Sequence, residues 1–93
     1  MTEDRIRAHV FVSGTVQGVR YRASTRDAAR QREVAGWVRN LDDGRVEAVF
    51  EGSEESVEGM IEWCHTGSAM ASVDDVDVSY EDPGGESGFR VRW

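Results

Sequence analysis

Hydrophobic spacing in this chain switches between a period of two and a period of 3.6 in a fixed order, and that order restricts the fold more than any other feature. Over residues 5–13, Ile6, Ala8, Val10 and Val12 fall on one side of an extended chain, and Arg7, His9, Phe11 and Ser13 on the other, the pattern of a half-buried strand. From about Tyr21 to Glu33 the spacing predicts a helix that packs Thr25, Ala28 and Ala29 inward and turns Arg26, Arg30 and Gln31 outward. Gly36–Asn40 reads as a second strand, and Val46, Ala48 and Phe50 mark a third beyond an Asp42-Asp43-Gly44 turn. Ser53 is placed to cap a second helix, with Glu54 and Glu55 in the first turn, where negative charge suits the helix dipole. Val57, Met60, Ile61 and Cys64 then form its apolar stripe, and Gly67 closes it. Val76, Val78 and Tyr80 alternate in a fourth strand. A Pro/Gly/Ser loop over 82–88 leads to a short last one through Phe89, Val91 and Trp93. Strand, helix, strand, strand, helix, strand is satisfied most simply by an α+β ferredoxin-like βαββαβ sandwich: an antiparallel sheet with two helices on one face and a short C-terminal fifth strand.

Ninety-three residues suit a single domain spanning 1–93 with one core. No wholly apolar run exceeds that of Val10-Phe11-Val12, far below bilayer length, and the N-terminus has no basic-then-apolar segment of the secretory kind. One cysteine, Cys64, excludes an intrachain disulfide and multi-cysteine zinc patterns. These features predict a cytoplasmic protein with no membrane partner, and the shortness of its apolar runs predicts a monomer.

Charge adds a second constraint. All 11 basic residues are arginine, against 18 acids, for a net charge of −7. The first 40 residues are net basic and the rest strongly acidic. Nucleic-acid binding is disfavoured by the sum, while the basic half leaves room for a local anion site. Lysine depletion with surplus carboxylate fits a salt-rich cytoplasm, where a Debye length of about 3 Å at molar salt screens self-repulsion. Arginine-favouring codons in a GC-rich genome are the alternative, and unfolding temperature measured against KCl separates the two.

The segment Gly14-Thr15-Val16-Gln17-Gly18-Val19-Arg20-Tyr21-Arg22 joins the first strand to the first helix. Such a loop leaves backbone N–H groups unpaired at the positive end of a helix, which suits a phosphate or carboxylate, or else serves only as a tight turn. Arg22, at the helix start, is placed to add a two-pronged contact to the anion. The Gly-Lys-Ser/Thr ending of a P-loop is missing, as is the third glycine of a dinucleotide fingerprint.

The pattern Gly14-x-Val16-Gln17-Gly18-Val19-x-Tyr21-Arg22, followed by Gly36-Trp37-Val38-Arg39-Asn40 and Asp43-Gly44-x-Val46-Glu47, resembles the acylphosphatase family. The resemblance continues through Glu51-Gly52, Trp63 and Gly67…Ala71…Val73 to Phe89-Arg90-Val91. It implies metal-free, cofactor-free hydrolysis of acyl phosphates to a carboxylate and inorganic phosphate. It also implies that Arg22 binds the substrate phosphate, that Asn40 orients the attacking water, and that the Gly14–Arg20 loop forms the phosphate cradle through the amides of Val16, Gln17, Gly18, Val19 and Arg20. Ser68 departs from the pattern, since similar members often carry proline there, which bears on loop rigidity. The family likeness further suggests a contact between the Trp93 carboxylate and Arg22.

Other residues take plainer readings. His9 and His65 assemble no metal set with the lone cysteine, and the acidic stretches lack a calcium-loop pattern. Cys64, Trp37 and Trp63 read as core. Arg20 and Arg26 read as solvated charges or as steering groups for an anion. Two rival functions share the fold: an RNA-recognition module, for which the third strand lacks aromatics and carries Glu47 and Glu51, and a module handling carbamoyl phosphate for a partner, as in larger hydrogenase-maturation proteins.

Overall fold

A computed structural model describes residues 4–92, with elements in the expected order: β1 (Arg5–Thr15), α1 (Tyr21–Gln31), β2 (Ala35–Asn40), β3 (Val46–Ser53), α2 (Glu54–Thr66), β4 (Ser72–Glu81) and β5 (Phe89–Val91). The sheet order is β4-β1-β3-β2-β5. Pairing β1 with β3 sets Ala8 opposite Phe50, Val10 opposite Ala48 and Val12 opposite Val46, so one face is uniformly apolar. Both helices cover that face. Tyr21, Ala28 and Ala29 of α1 and Val57, Met60 and Cys64 of α2 join Ala8, Val10, Val12, Val38, Val46, Ala48 and Phe50 in one buried cluster. Burying a Val- to Phe-sized side chain contributes about 1.5–3 kcal/mol, so this cluster carries the fold.

The first four strands pair antiparallel. β5 instead runs parallel to β2, with Trp37 opposite Arg90 and Val38 opposite Val91, so the fully antiparallel expectation is corrected to a mixed sheet. Stacking of Phe89 on Phe50, with ring centroids 5.9 Å apart, holds β5 at that edge.

Ser53 caps α2 as expected, its Oγ accepting from the Ser56 amide. α1 stops two residues before the expected Glu33. Glu33 adopts φ 58°, its amide donates to the Arg30 carbonyl and that of Val34 to the Ala29 carbonyl, the bond pair that closes a helix around a left-handed residue. Glycine normally marks that position, and Glu33 carries no such stop signal.

Trp37 does not join the core. Its neighbours Gly36 and Val38 face the helices, and a Cβ at Gly36 would fall 1.8 Å from the Val49 carbonyl oxygen, so the register turns Trp37 onto the open face. There Arg39 and Arg92 lie over its ring, and His9 stacks on Phe11. Trp63 packs against the edge of the core, 5.6 Å from the Tyr21 ring.

The open face also buries a carboxylate. Glu51 is fully buried and accepts from the amides of Gly84 (2.8 Å), Gly85 (2.9 Å) and Glu86 (3.0 Å), and from Arg5 and Arg7 at 3.1 Å each. Burial alone would raise its pKa. The three amides and two guanidinium groups outweigh that and lower it to about 2. Glu51 thereby ties the 82–88 loop to the sheet just before the chain enters β5.

Candidate active site

β1 leaves the sheet through a bulge. Its register with β4 shifts between Ser13 and Gly14, and a Cβ at Gly14 (φ 124°) would meet the Ser72 carbonyl oxygen at 2.3 Å. Only glycine permits that approach. Beyond the bulge, Gly18 (φ 75°) and Arg20 (φ 61°) are left-handed on either side of Val19. Alternating the sign of φ turns successive N–H groups toward one side, the backbone geometry of an anion nest. Among the described residues, the amides of Val16 to Arg20 make no hydrogen bond to a protein acceptor. Arg20 also occupies the N-cap position of α1, and no side chain caps that helix. The amides of its first turn therefore add to the unpaired set.

Three ties fix this loop. Gln17 Nε2 donates to the Leu41 carbonyl (2.7 Å) and the Arg45 carbonyl (2.9 Å), joining the loop to the β2–β3 turn. Ser68 Oγ donates to the Val19 carbonyl at 2.6 Å, so the residue where proline is common in similar chains here tethers the loop. Tyr21, buried at the start of α1, donates its hydroxyl to the Cys64 carbonyl at 2.8 Å. Burial holds the Tyr21 phenol well above its ordinary pKa, and pushes the Cys64 thiol up to about 12, so Cys64 is a core thiol.

Above the loop lies a cleft of about 230 Å³, lined by Val16, Gly18, Arg20, Tyr21, Arg22, Ala23, Arg26, Asn40 and Val91. Of the expected site residues, Val16, Gly18, Arg20, Arg22 and Asn40 thus line one cleft. Gly14, Gln17 and Val19 lie outside the lining, where Gly14 makes the bulge and the other two carry the ties. Arg22 Nη1 donates to the Arg92 carbonyl at 3.3 Å, and the Arg92 amide in turn donates to the Val38 carbonyl at 2.8 Å, so the end of the chain braces the arginine side of the cleft. Trp93, expected to contact Arg22, lies outside the described residues.

Asn40 ends β2 opposite Val46. Its Oδ1 is buried, with no hydrogen-bond partner among the described residues. A buried acceptor left unpaired costs about 1–3 kcal/mol, and such a cost points to a ligand. Sequence reasoning named Ser68 only for loop rigidity and Val91 only as a residue of the last strand; spacing showed neither that Ser68 ties the loop nor that Val91 lines the cleft. Among the described residues no group of three or more His, Cys, Asp or Glu is placed to hold a metal. No helix is long and apolar enough to cross a membrane. His9 lies on the opposite face of the sheet, bonded to Glu47 and Glu81.

Fold and cleft together define a class: a two-layer α+β protein whose strand-to-helix loop offers a set of backbone donors beside arginine. The comparisons narrow that class to one family. The acylphosphatase family model matches residues 8–91. An acylphosphatase of Haloquadratum walsbyi is 74% identical over 99% of this chain and 99% of its own, and one of Natronomonas pharaonis is 68% identical over 96% and 97%. The solved structure of an acylphosphatase from Coxiella burnetii superposes with a TM-score of 0.92 at 39% identity, covering 96% of this chain and 94% of that one. The chain belongs to the acylphosphatase family, and it is a hydrolase.

Proposed function

We propose that the cleft hydrolyses the carboxyl–phosphate anhydride of acyl phosphates, with the amides of residues 16–20 and the Arg22 guanidinium on the phosphate and Asn40 orienting the attacking water. The observation that carries this reading is the buried Asn40 Oδ1, an acceptor without a partner among the described residues, in the cleft that Arg22 also lines. That oxygen is free to accept from a water in the cleft that the nest and Arg22 also line.

The chemistry asks for little more. The leaving carboxylate has a conjugate acid of pKa roughly 4, so no general acid is needed to expel it. Water oxygen bonds to phosphorus as the bond from phosphorus to the acyl oxygen breaks. The amides and Arg22 stabilise charge on the phosphoryl oxygens. The Asn40 amide cannot accept the proton released by the water, which passes to a phosphoryl oxygen of the substrate. No protein group titrates in the step, and no metal enters it. The reading takes the chain as a cytoplasmic monomer.

Purified protein assayed in EDTA is expected to cleave benzoyl phosphate and leave a simple phosphate monoester intact. Cleavage of both, or of neither, overturns the proposal.

A further inference from the structure

The cleft carries more positive charge than one phosphate needs. Arg20, Arg22 and Arg26 all line it, and no described lining residue is acidic, in a chain of net charge −7. Arg22 and Arg26 stand one turn apart on the same face of α1, a spacing at which like charges repel each other. The first turn of α1 has no acid, although the positive end of a helix favours one. No carboxylate among the described residues pairs with Arg20. Among the described residues, Arg26 reaches only its chain neighbour Asp27, at 3.1 Å, with the two side chains 36% and 61% exposed. An ion pair that exposed contributes little and exchanges readily for a better anion.

Taking the acyl phosphate reading above as given, we propose that Arg20 and Arg26 bind a carboxylate at the far end of the acyl group. The preferred substrate is then the monoacyl phosphate of a short dicarboxylic acid. Four residues of helix advance about 6 Å, the offset from Arg22 to Arg26. A four-carbon diacid, with bonds of about 1.5 Å, sets its free carboxylate roughly 6 Å from the phosphorus. Phosphate on the nest and Arg22 therefore brings the second anion level with Arg26, and the long side chain of Arg20, which lines the same cleft, approaches it from the loop. Fork-shaped guanidinium groups suit a carboxylate at each position. A neutral acyl group meets neither.

The test compares succinyl phosphate with butyryl phosphate at one KCl concentration, using wild type, Arg26→Gln, Arg20→Gln and Arg90→Gln. Arg90 is an exposed arginine of β5 outside the cleft, so its variant removes the same charge without removing the contact. Wild type is expected to favour succinyl phosphate in kcat/KM by about fivefold, the scale of an exposed charge pair. Arg26→Gln is expected to abolish the preference through the KM for succinyl phosphate, leaving butyryl phosphate within twofold. Arg20→Gln lowers the same ratio, whatever it does to both substrates together, and Arg90→Gln leaves it unchanged. Equal wild-type values for the two substrates overturn the proposal. So does an equal loss of preference in Arg26→Gln and Arg90→Gln, which would mark a diffuse field effect. Failure of wild type to hydrolyse either substrate overturns instead the acyl phosphate reading beneath it.

Discussion

The molecule builds two anion sites from the same parts and treats them oppositely. On the open face of the sheet, three consecutive amides of the 84–86 loop and two guanidinium groups close around the Glu51 carboxylate, an anion supplied by the protein itself. Across the sheet, the amides of Val16–Arg20 donate to no acceptor among the described residues. Supplying the anion internally makes a site structural, because its hydrogen bonds form on folding. Leaving it out makes a site functional, and the fold carries the cost: left-handed Arg20, an uncapped helix start and an unpaired Asn40 oxygen.

Substitutions in the open site should affect rate far more than stability. Arg22→Gln or Asn40→Ala is expected to lower kcat at least about 10²-fold, the scale of a lost preorganised donor. Asn40→Ala should also leave the melting temperature unchanged or raised, because it deletes a buried acceptor that no protein group satisfies. Near-normal turnover in either variant, or a large fall in melting temperature for Asn40→Ala, breaks the comparison.

The closed site should show the reverse. Glu51→Gln is expected to lose roughly 3 kcal/mol at neutral pH, equivalent to a fall in melting temperature of about 10–20 °C, while folded protein retains activity within about tenfold. The sign with pH follows from the lowered pKa. The stability is fully present above the unfolded value near 4.5 and disappears as pH falls toward about 2, so wild type and variant converge in acid. Denaturant titrations at pH 7 and pH 3 measure this, and an unchanged gap between the two pH values contradicts it.

Ser68→Ala sharpens the boundary between the two behaviours. Loss of the 2.6 Å tie to the Val19 carbonyl should raise KM about three- to fivefold and cost about 1 kcal/mol of stability. Restoration of KM in Ser68→Thr ties the effect to the hydroxyl.

The smallest effect concerns His9. Burial works against its charge, but Glu47 and Glu81 more than offset that and raise its pKa. Its contribution to stability is therefore present below pH 6.5 and lost as pH rises through the raised value. His9→Gln should change stability by less than about 1 kcal/mol and flatten its fall with rising pH, with the pH–rate profile unmoved. A shifted rate profile would connect the two faces of the sheet.

Legibility divided along the same lines. The alternation in β1 and the stripe in α2 were plain because one buried face imposes one period, and the Gly14–Arg22 segment stood out because glycine and arginine cluster there. Trp37 misled because bulk apolar character suggests the core, whereas register with β3 decides the face. The direction of β5 was hidden because three residues carry no sign of parallel or antiparallel pairing. The α1 stop escaped because Glu33, rather than a glycine, takes the left-handed turn. Glu51 read only as a polar residue of the third strand, since the amides that bury it come from a loop 33 to 35 positions away.

The outermost strand β4 presents ten residues along the border of the sheet, among them Asp74, Asp75, Asp77 and Glu81. A border that long, with one side of its ladder open, is a template for strand addition by a second molecule. Here mutual repulsion between carboxylates is the guard. Dense salt weakens it by screening. The strength of that guard thus depends on the medium as much as on the fold.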